Sequence, residues 1–349
     1  MADIHETYMQ RCIELALMGE GNVAPNPMVG AVLVYDNRII GEGYHQQYGK
    51  AHAEVNCISQ VSPADQPLIT SATLYVSLEP CAHFGKTPPC SDLIIEKGIK
   101  KVFVGCRDPF TEVNGKGIEK LEKAGVEVVV GVLEKECRSL NKRFFTFHTE
   151  QRPYVILKWA QTADKKMAGA DDSERLLISN QFTNRLVHQW RSQEAAILVG
   201  RNTALKDNPS LSNRLFNGPS PVRMVIDPDL RLPHSLQLFN HRQPTVVFNY
   251  IQREEEENLL YYAVEPERNM LPQILRACYK LNLQSLIVEG GASLLRSFID
   301  YNLWDEARVL TNEEMTIGEG LQAPIINGEL IRTEQILSDT ISYYKPINQ

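Results

Sequence analysis

The chain has 349 residues, of which 43% are hydrophobic and 23% charged, as in an ordinary soluble globular protein. This length exceeds what one hydrophobic core usually supports, so two domains are expected. The net charge of −7 argues against a nucleic acid as the main partner, and no apolar run approaches the roughly 18 residues that span a bilayer.

Residues 1–145 alternate between helical and strand patterns. The N-terminus is too polar for a signal peptide, so we expect a cytoplasmic protein, and its apolar residues recur at helical spacing. Dense β-branched runs predict strands at 29–35, 73–79, 101–106 and 126–131. Helical patterns begin at residues 52, 91, 115 and 133. Strands separated by helices predict an α/β fold with a mainly parallel sheet and helices on both faces.

A second α/β series starts after residues 146–151, where Pro153 restarts an extended segment. Its strands are predicted at 152–160, 195–200, 221–227, 244–249, 285–290 and 306–311. We therefore expect two domains, residues 1–147 and residues 148–349.

The seven cysteines, an odd number in a long chain, do not indicate a disulfide framework. Five of them lie in apolar periodic stretches and are expected in the core: Cys12, Cys57, Cys106, Cys137 and Cys278. Cys81 and Cys90 differ, because they lie in the loop EPCAHFGKTPPC, residues 79–90.

This loop combines with the segment AHAEV to predict a zinc centre. One imidazole, from His52, and the thiolates of Cys81 and Cys90 leave the fourth tetrahedral position of Zn²⁺ open, as a catalytic site requires. Glu54 would act beside the metal as general acid and base. His-x-Glu followed by Pro-Cys is typical of zinc deaminases, but their second cysteine follows after two residues, and here eight intervene.

The sequence resembles the bifunctional riboflavin-biosynthesis family, a diaminohydroxyphosphoribosylaminopyrimidine deaminase fused to a 5-amino-6-(5-phosphoribosylamino)uracil reductase. The matching N-terminal stretches are 25–34, 41–54, 75–90 and 108–141. The resemblance implies a cytidine-deaminase-like αβα domain, zinc on His52, Cys81 and Cys90, and Glu54 as catalytic residue. It also implies four substrate-binding residues: Asn26, His45, His83 and Lys86. On the residues alone, Asn26 could instead fix a turn and Lys86 could be solvated.

The resemblance continues through 155–169, 177–214 and 285–299 and implies a dihydrofolate-reductase-like αβα domain that binds NADPH. Two glycines at a strand-to-helix turn let the backbone approach a phosphate, although such a pair alone is more often a structural turn. By family position, the cofactor-binding residues are Ala160, Thr203, Asp207, Gly290, Gly291, Ala292 and Ser293. The residues that bind the reductase substrate are Arg191, Leu211, Arg214 and Glu289.

Two positions depart from the family pattern. Lys165 replaces a glycine, which predicts either that the backbone there no longer needs a positive φ or that the loop is rebuilt. Leu177 lies where many members have a tryptophan near the cofactor. The family's serine contact in this loop falls on Ser173 or Ser179.

The resemblance therefore implies zinc-dependent deamination of 2,5-diamino-6-(5-phosphoribosylamino)pyrimidin-4-one, followed by NADPH-dependent reduction of the ribosyl side chain to ribityl. The expected partners are this phosphorylated pyrimidine ribotide and further copies of the chain. One alternative is a deaminase with a degenerate reductase domain. Another is a zinc deaminase of a free nucleotide or of tRNA adenosine, which predicts a short Cys-x-x-Cys and no second domain. The last is a scaffold whose zinc is structural, with His83 as fourth ligand.

Overall fold

The computed structural model describes residues 3–84, 88–110, 113–170 and 176–347. The chain forms two compact units, Met1–Gln151 and Arg152–Gln349. The boundary expected after residue 147 lies inside the helix Lys142–Glu150, so the units divide after this helix is complete. Within the described ranges, no helix combines the length and the apolar character that crossing a membrane requires.

The N-terminal unit has one sheet flanked by helices. Its strands are β1 Gly30–Tyr35, β2 Arg38–Tyr44, β3 Thr73–Leu78, β4 Lys101–Cys106 and β5 Glu127–Val130. Its helices are α1 Ile4–Leu17, α2 Ala53–Ser59, α3 Cys90–Glu96, α4 Lys116–Lys123, α5 Glu134–Leu140 and α6 Lys142–Glu150. The five strands are ordered β2-β1-β3-β4-β5; β1 is antiparallel to both neighbours, and the remaining pairs are parallel.

Both faces of this sheet are buried, as predicted. Successive β1 side chains alternate between the faces, because the strand repeats every two residues. Leu33 packs in a cluster with residues of α2, α3 and α4, whereas Val32 packs in a second cluster with residues of α1, α5 and α6. The five cysteines expected in the core are buried, which confirms that prediction.

The C-terminal unit is built on a larger sheet. Its strands are β6 Tyr154–Thr162, β7 Lys166–Ala168, β8 Ala196–Gly200, β9 Val222–Ile226, β10 Thr245–Asn249, β11 Leu259–Ala263, β12 Ser285–Glu289, β13 Glu306–Asn312, β14 Leu321–Gln322, β15 Gly328–Ile336 and β16 Asp339–Pro346. Its helices are α7 Gln181–Gln193, α8 Arg201–Asp207, α9 Met270–Lys280 and α10 Ala292–Asp300. Strands β7 and β14 form a separate two-stranded sheet.

The nine-stranded sheet has the order β11-β10-β9-β8-β12-β6-β13-β16-β15. All pairs from β11 to β13 are parallel, whereas β16 is antiparallel to both of its neighbours. The carboxyl ends of β8, β12 and β9 therefore meet at one edge, where ligands of open α/β sheets bind.

The loop after β6 corrects one prediction. Lys165 has a φ of 62°, so the backbone retains the positive φ although the glycine is absent. The Lys165 N–H donates to the Thr162 carbonyl at 2.9 Å, and the Asp164 carboxylate accepts the Gly318 N–H at 2.8 Å. These hydrogen bonds hold the turn, and they account for a lysine in a conformation that glycine prefers.

Candidate active sites

The first site lies where three chain segments of the N-terminal unit meet. His52 precedes α2 in extended conformation, Cys90 is the first residue of α3, and Cys81 follows β3. The His52 Nδ1 lies 3.6 Å from the Cys81 Sγ and 3.4 Å from the Cys90 Sγ. The two cysteines, separated by eight residues in sequence, lie side by side, because the Cys90 N–H donates to the Cys81 sulfur at 3.3 Å.

These donor atoms have the spacing of a metal site. Zn–S and Zn–N bonds of about 2.3 and 2.0 Å in tetrahedral geometry separate the ligand atoms by roughly 3.5–3.8 Å. The donor atoms of His52, Cys81 and Cys90 all lie within 4.8 Å of one another. Among the described residues, His83 is not part of this group. A three-ligand set with an open fourth position fits a catalytic zinc ion better than a closed structural one.

The electrostatics of the cluster match metal-ligand chemistry. The hydrogen bond from the Cys90 thiol, and then the one from His52, lower the pKa of Cys81 to about 4. The Cys90 pKa is raised, because its proton is held against the Cys81 sulfur. Glu54, in the first turn of α2, is 3% exposed, and burial followed by the charge of Cys81 raises its pKa. A buried carboxyl with a raised pKa can hold and release a proton near neutral pH.

Asn26 and His45 form one unit beside the cluster. The His45 Nδ1 lies 3.0 Å from the Ala51 carbonyl, and its Nε2 lies 3.1 Å from the Asn26 amide nitrogen. This pattern requires a neutral imidazole that donates from Nδ1 and accepts at Nε2. Burial lowers the His45 pKa, which favours the same neutral form. The two rings of His45 and His52 meet edge to face, with centroids 5.4 Å apart.

His83 lies in the long loop, with its ring centroid 6.1 Å from that of Phe110. Its buried Nδ1 has no hydrogen-bond partner in the part of the chain that the structure describes. An unsatisfied buried nitrogen is costly, so this atom is suited to receive a ligand group. Lys86 and Ser173, both named from the sequence, lie outside the described residues.

Glu79 organises the loop, although the sequence reasoning assigned it no role. Its buried carboxylate accepts the N–H groups of Gly115 and Gly117, both at 3.0 Å, and those of Asp108 and Ile118 at 3.3 Å. It therefore ties the start of α4 to the end of β3, two residues before Cys81. A charged residue directly after a buried strand was the available signal.

The second site, in the C-terminal unit, contains a buried charge cluster. The Arg191 Nε and Nη2 donate to the two carboxylate oxygens of Glu289 at 2.9 and 2.8 Å. The Lys158 Nζ lies 3.5 Å from the same carboxylate. Burial alone would raise the Glu289 pKa, but the charges of Arg191 and Lys158 outweigh it and lower the pKa to about 2. The sequence reasoning missed Lys158, whose signal was a cation inside a buried strand, VILKWAQT.

The segment 210–214 lies against this cluster. The Arg191 Nη1 donates to the Ser212 carbonyl at 3.3 Å, and the Arg214 guanidinium donates to the hydroxyls of Ser210 and Ser212. Leu211 is 2% exposed, has a φ of 52° and packs in the core. His188, which was not predicted, accepts the Arg214 backbone N–H on Nδ1 at 2.9 Å. Burial, then Arg191 and Arg214, lower the His188 pKa to about 4.

A cavity of about 660 Å³ opens at the carboxyl edge of the sheet. Six of the seven predicted cofactor residues line it: Thr203, Asp207, Gly290, Gly291, Ala292 and Ser293. Ala160 is not among the lining residues and packs instead beside the core of the unit. Leu177 does not line the cavity either and is 74% exposed, so it takes no tryptophan-like position there.

The glycine turn fits a phosphate group. Gly290 has a φ of 134°, and a Cβ on it would lie 2.9 Å from the Thr203 hydroxyl oxygen. The Gly291 N–H donates to that hydroxyl at 2.8 Å. No side chain of the described residues caps the N-terminus of α10. Its first N–H groups therefore remain available to an anion in the cavity.

Comparison with known proteins gives the same two domains. The model of the cytidine and deoxycytidylate deaminase zinc-binding region matches residues 2–106, and the model of the RibD C-terminal domain matches residues 153–342. The riboflavin biosynthesis protein RibD of Aquifex aeolicus is 42% identical over 91% of this chain and 89% of its own length. RibD of Actinobacillus pleuropneumoniae is 39% identical over 91% of this chain and 86% of its own.

Two solved structures are similar to this chain over nearly its whole length. A diaminohydroxyphosphoribosylaminopyrimidine deaminase/5-amino-6-(5-phosphoribosylamino)uracil reductase from Thermotoga maritima has a TM-score of 0.87 at 37% identity, covering 99% of both chains. RibD from Acinetobacter baumannii has a TM-score of 0.89 at 30% identity, again covering 99% of both chains. These matches confirm the predicted fold class. With a deaminase domain followed by a RibD reductase domain, the chain belongs to the RibD family of riboflavin biosynthesis proteins.

Proposed function

We propose that the chain catalyses two consecutive reactions on one phosphorylated pyrimidine ribotide. The first is hydrolytic deamination of 2,5-diamino-6-(5-phosphoribosylamino)pyrimidin-4-one, and the second is NADPH-dependent reduction of the ribosyl side chain to ribityl. One observation carries the proposal: a three-ligand zinc set beside Glu54 and a phosphate cradle beside the Glu289 cluster occur in one chain. The similarity to the Thermotoga maritima deaminase/reductase supports this choice of substrate.

In the first reaction, His52, Cys81 and Cys90 would hold zinc. A zinc ion held there supplies a Lewis acid that makes water nucleophilic at neutral pH. A carboxylate oxygen of Glu54 takes a proton from the attacking water and returns it to the amino group, which leaves as ammonia. The burial of Glu54 suits both halves of this transfer, because a raised pKa lets the acid form persist until the amine departs.

The remaining residues of this site orient the substrate. The neutral His45 is held by Asn26 and by the Ala51 carbonyl, so the pair presents a fixed polar edge. The buried Nδ1 of His83 offers a hydrogen bond that no described residue uses. We assign the phosphate of the ribotide to Lys86, because this cation lies in sequence between the two cysteine ligands and a cation suits a phosphate.

In the second reaction, Gly290, Gly291 and the first turn of α10 would hold the cofactor pyrophosphate. NADPH bound there would supply the hydride for C1′ of the opened ribose imine, and solvent would supply the proton for the imine nitrogen. The carboxylate of Glu289, held rigidly by Arg191 and Lys158, accepts hydrogen bonds from ribose hydroxyls. Arg191 already directs three of its five N–H groups to Glu289 and the Ser212 carbonyl. We therefore assign the substrate phosphate in this site to Arg214, which lies on the exposed side of the cluster.

A two-stage assay of the purified chain tests the proposal. The zinc-loaded protein is given the diaminopyrimidine ribotide, and ammonia release is measured before NADPH is added. We expect ammonia in the first stage and NADPH oxidation in the second, in equal amounts. Ammonia without NADPH oxidation would instead support a deaminase with a degenerate reductase domain. Absence of both reactions would refute the proposal.

A further inference from the structure

The cavity in the C-terminal unit has an uneven distribution of charge. Its lining contains two cationic side chains, Arg201 and Lys206, and one carboxylate, Asp207. The glycine turn at 290–291 and the start of α10 are proposed to bind the pyrophosphate of a dinucleotide. Arg201 lies outside that cradle, since it follows β8 directly as the first residue of α8. A second cationic position in the same cavity raises the question of what it binds.

Arg201 differs from the buried arginines of this unit in its hydrogen bonding. Arg223 donates four hydrogen bonds, to Thr245, Gln237, Asn240 and Gln243. Arg201, in contrast, makes no hydrogen bond to any residue that the structure describes, and its Nε is buried without a partner. Its ionic neighbour is the Asp227 carboxylate, 3.9 Å from Nε, which is beyond hydrogen-bond range. The Nε of Arg201 is thus buried without a hydrogen bond to any described residue, and the rest of its side chain is partly exposed.

Asp227 does not depend on Arg201. Its two carboxylate oxygens accept the backbone N–H groups of Arg231 at 3.1 Å and Leu232 at 2.8 Å. It is 1% exposed and is not among the residues that line the cavity. Asp227 therefore stabilises the loop after β9, and the Arg201 charge remains available to a ligand.

The sheet order places Arg201 at a defined distance from the glycine turn. Strand β8 lies directly between β12, which leads into Gly290, and β9. Neighbouring strands are about 4.8 Å apart, so Arg201 lies one strand away from the pyrophosphate cradle and on the side opposite to Lys158 on β6. The reacting end of the cofactor belongs near Glu289 and Lys158. Its adenosine half consequently extends across β8 toward β9.

We propose that Arg201 binds the phosphate ester on the adenosine ribose and so selects NADPH over NADH. The inference rests on the proposed reductase function. A guanidinium matches a phosphate with two parallel N–H···O bonds, whereas the ribose hydroxyl of NADH offers it no charge. Arg201 gives up no hydrogen bond to a described residue when the phosphate binds.

Equilibrium binding tests the assignment without turnover. The three tryptophans, Trp159, Trp190 and Trp304, all lie in the C-terminal unit, so quenching of their fluorescence reports dinucleotide binding to that unit. NADPH and NADH are titrated into the zinc-loaded full chain and into Arg201→Gln, Arg201→Lys and Arg231→Gln. Arg231 is a matched control, because its side chain is 66% exposed, pairs with Asp229 and lies outside the cavity lining.

We expect Arg201→Gln to weaken NADPH binding by roughly tenfold or more and to leave NADH affinity unchanged. Arg201→Lys should retain part of the preference for NADPH over NADH, and Arg231→Gln should retain all of it. Adenosine 2′,5′-bisphosphate should compete with NADPH better than AMP on the wild type, and equally with AMP on Arg201→Gln.

Equal loss of NADPH and NADH affinity in Arg201→Gln would overturn the inference, since it would indicate a pyrophosphate or structural role. Unchanged affinity for both would overturn it as well. These results leave the proposed reductase function intact. If the wild type binds neither dinucleotide, the reductase proposal itself fails, and the inference fails with it.

Discussion

Arg191 on α7 and Glu289 at the end of β12 form a bidentate ion pair, with N–O distances of 2.9 and 2.8 Å, inside the C-terminal unit. Lys158 adds a second cation 3.5 Å from the same carboxylate. Two cations therefore share one anion, and the cluster keeps a positive excess where a phosphorylated substrate is proposed to bind. The carboxylate cannot be removed without leaving both cations buried.

Glu289→Gln is expected to destabilise the C-terminal unit by about 3 kcal/mol, because it leaves Arg191 and Lys158 without their shared anion. Urea unfolding followed by tryptophan fluorescence measures this change, since all three tryptophans lie in that unit. Glu329→Gln serves as control, because Glu329 is 60% exposed and pairs with Lys345 at the surface. A loss below about 1 kcal/mol, the value of an exposed pair, would contradict the buried pairing.

Glu54→Gln should lower the rate of ammonia release by about 10²–10⁴-fold, the usual contribution of a general acid and base. Zinc content should stay unchanged, because the amide removes the proton carrier but not a metal ligand. The measurement combines ammonia assay with elemental analysis of the same sample. Glu127→Gln, on the exposed strand β5, is the matched control. Full deamination by Glu54→Gln would exclude the assigned role.

Cys90→Ser should abolish zinc binding and ammonia release, since a serine hydroxyl does not replace a thiolate as a zinc ligand. A chelator should do the same to the wild type, and added zinc should restore only the wild type. Dinucleotide binding, read from tryptophan fluorescence, should stay unchanged in both cases. Retention of stoichiometric zinc by Cys90→Ser would show that the metal lies elsewhere.

Protonation of His188 is expected to lower the free energy of unfolding in acid. Its folded pKa of about 4 lies below the ordinary 6.5, so the unfolded chain binds the proton first as pH falls. The contribution is fully present above pH 6.5 and is lost as pH falls toward 4. His188→Asn keeps an acceptor for the Arg214 N–H but does not titrate. Its free energy of unfolding should therefore fall less over this pH range; a slope equal to that of the wild type would refute the assignment.

Lys165→Gly should stabilise the C-terminal unit by about 0.5–1 kcal/mol. Lysine is strained in the left-handed backbone conformation at φ 62°, and glycine removes this strain. The free energy gained exceeds the cost of the larger conformational entropy that glycine has in the unfolded chain. Lys165→Ala keeps the Cβ and should give no such gain. Thermal unfolding of the three proteins separates the cases, and equal midpoints for Gly and Ala would mean that the lysine carries no backbone strain.

The sequence by itself named the residues that are proposed for the first reaction. A zinc set of His52, Cys81 and Cys90 with Glu54 was predicted from the residue types and the family resemblance, because a metal needs particular donor atoms. The strand runs and the five buried cysteines also followed from apolar periodicity, which is a local property of the chain. Strands without that pattern were missed, such as β15, where most residues are exposed.

Only the tertiary structure decided which groups that are distant in sequence form ion pairs and hydrogen bonds. Lys158, Glu79 and His188 each act through a partner far away in sequence: Glu289, the N-terminus of α4 and the Arg214 backbone. No local pattern encodes such pairs, because burial and pairing depend on which strands become neighbours. The positive φ at Lys165 and the buried Arg201 Nε, which has no hydrogen-bond partner among the described residues, likewise depend on the tertiary structure. Both depend on hydrogen bonds made, or left unmade, once the sheet has assembled.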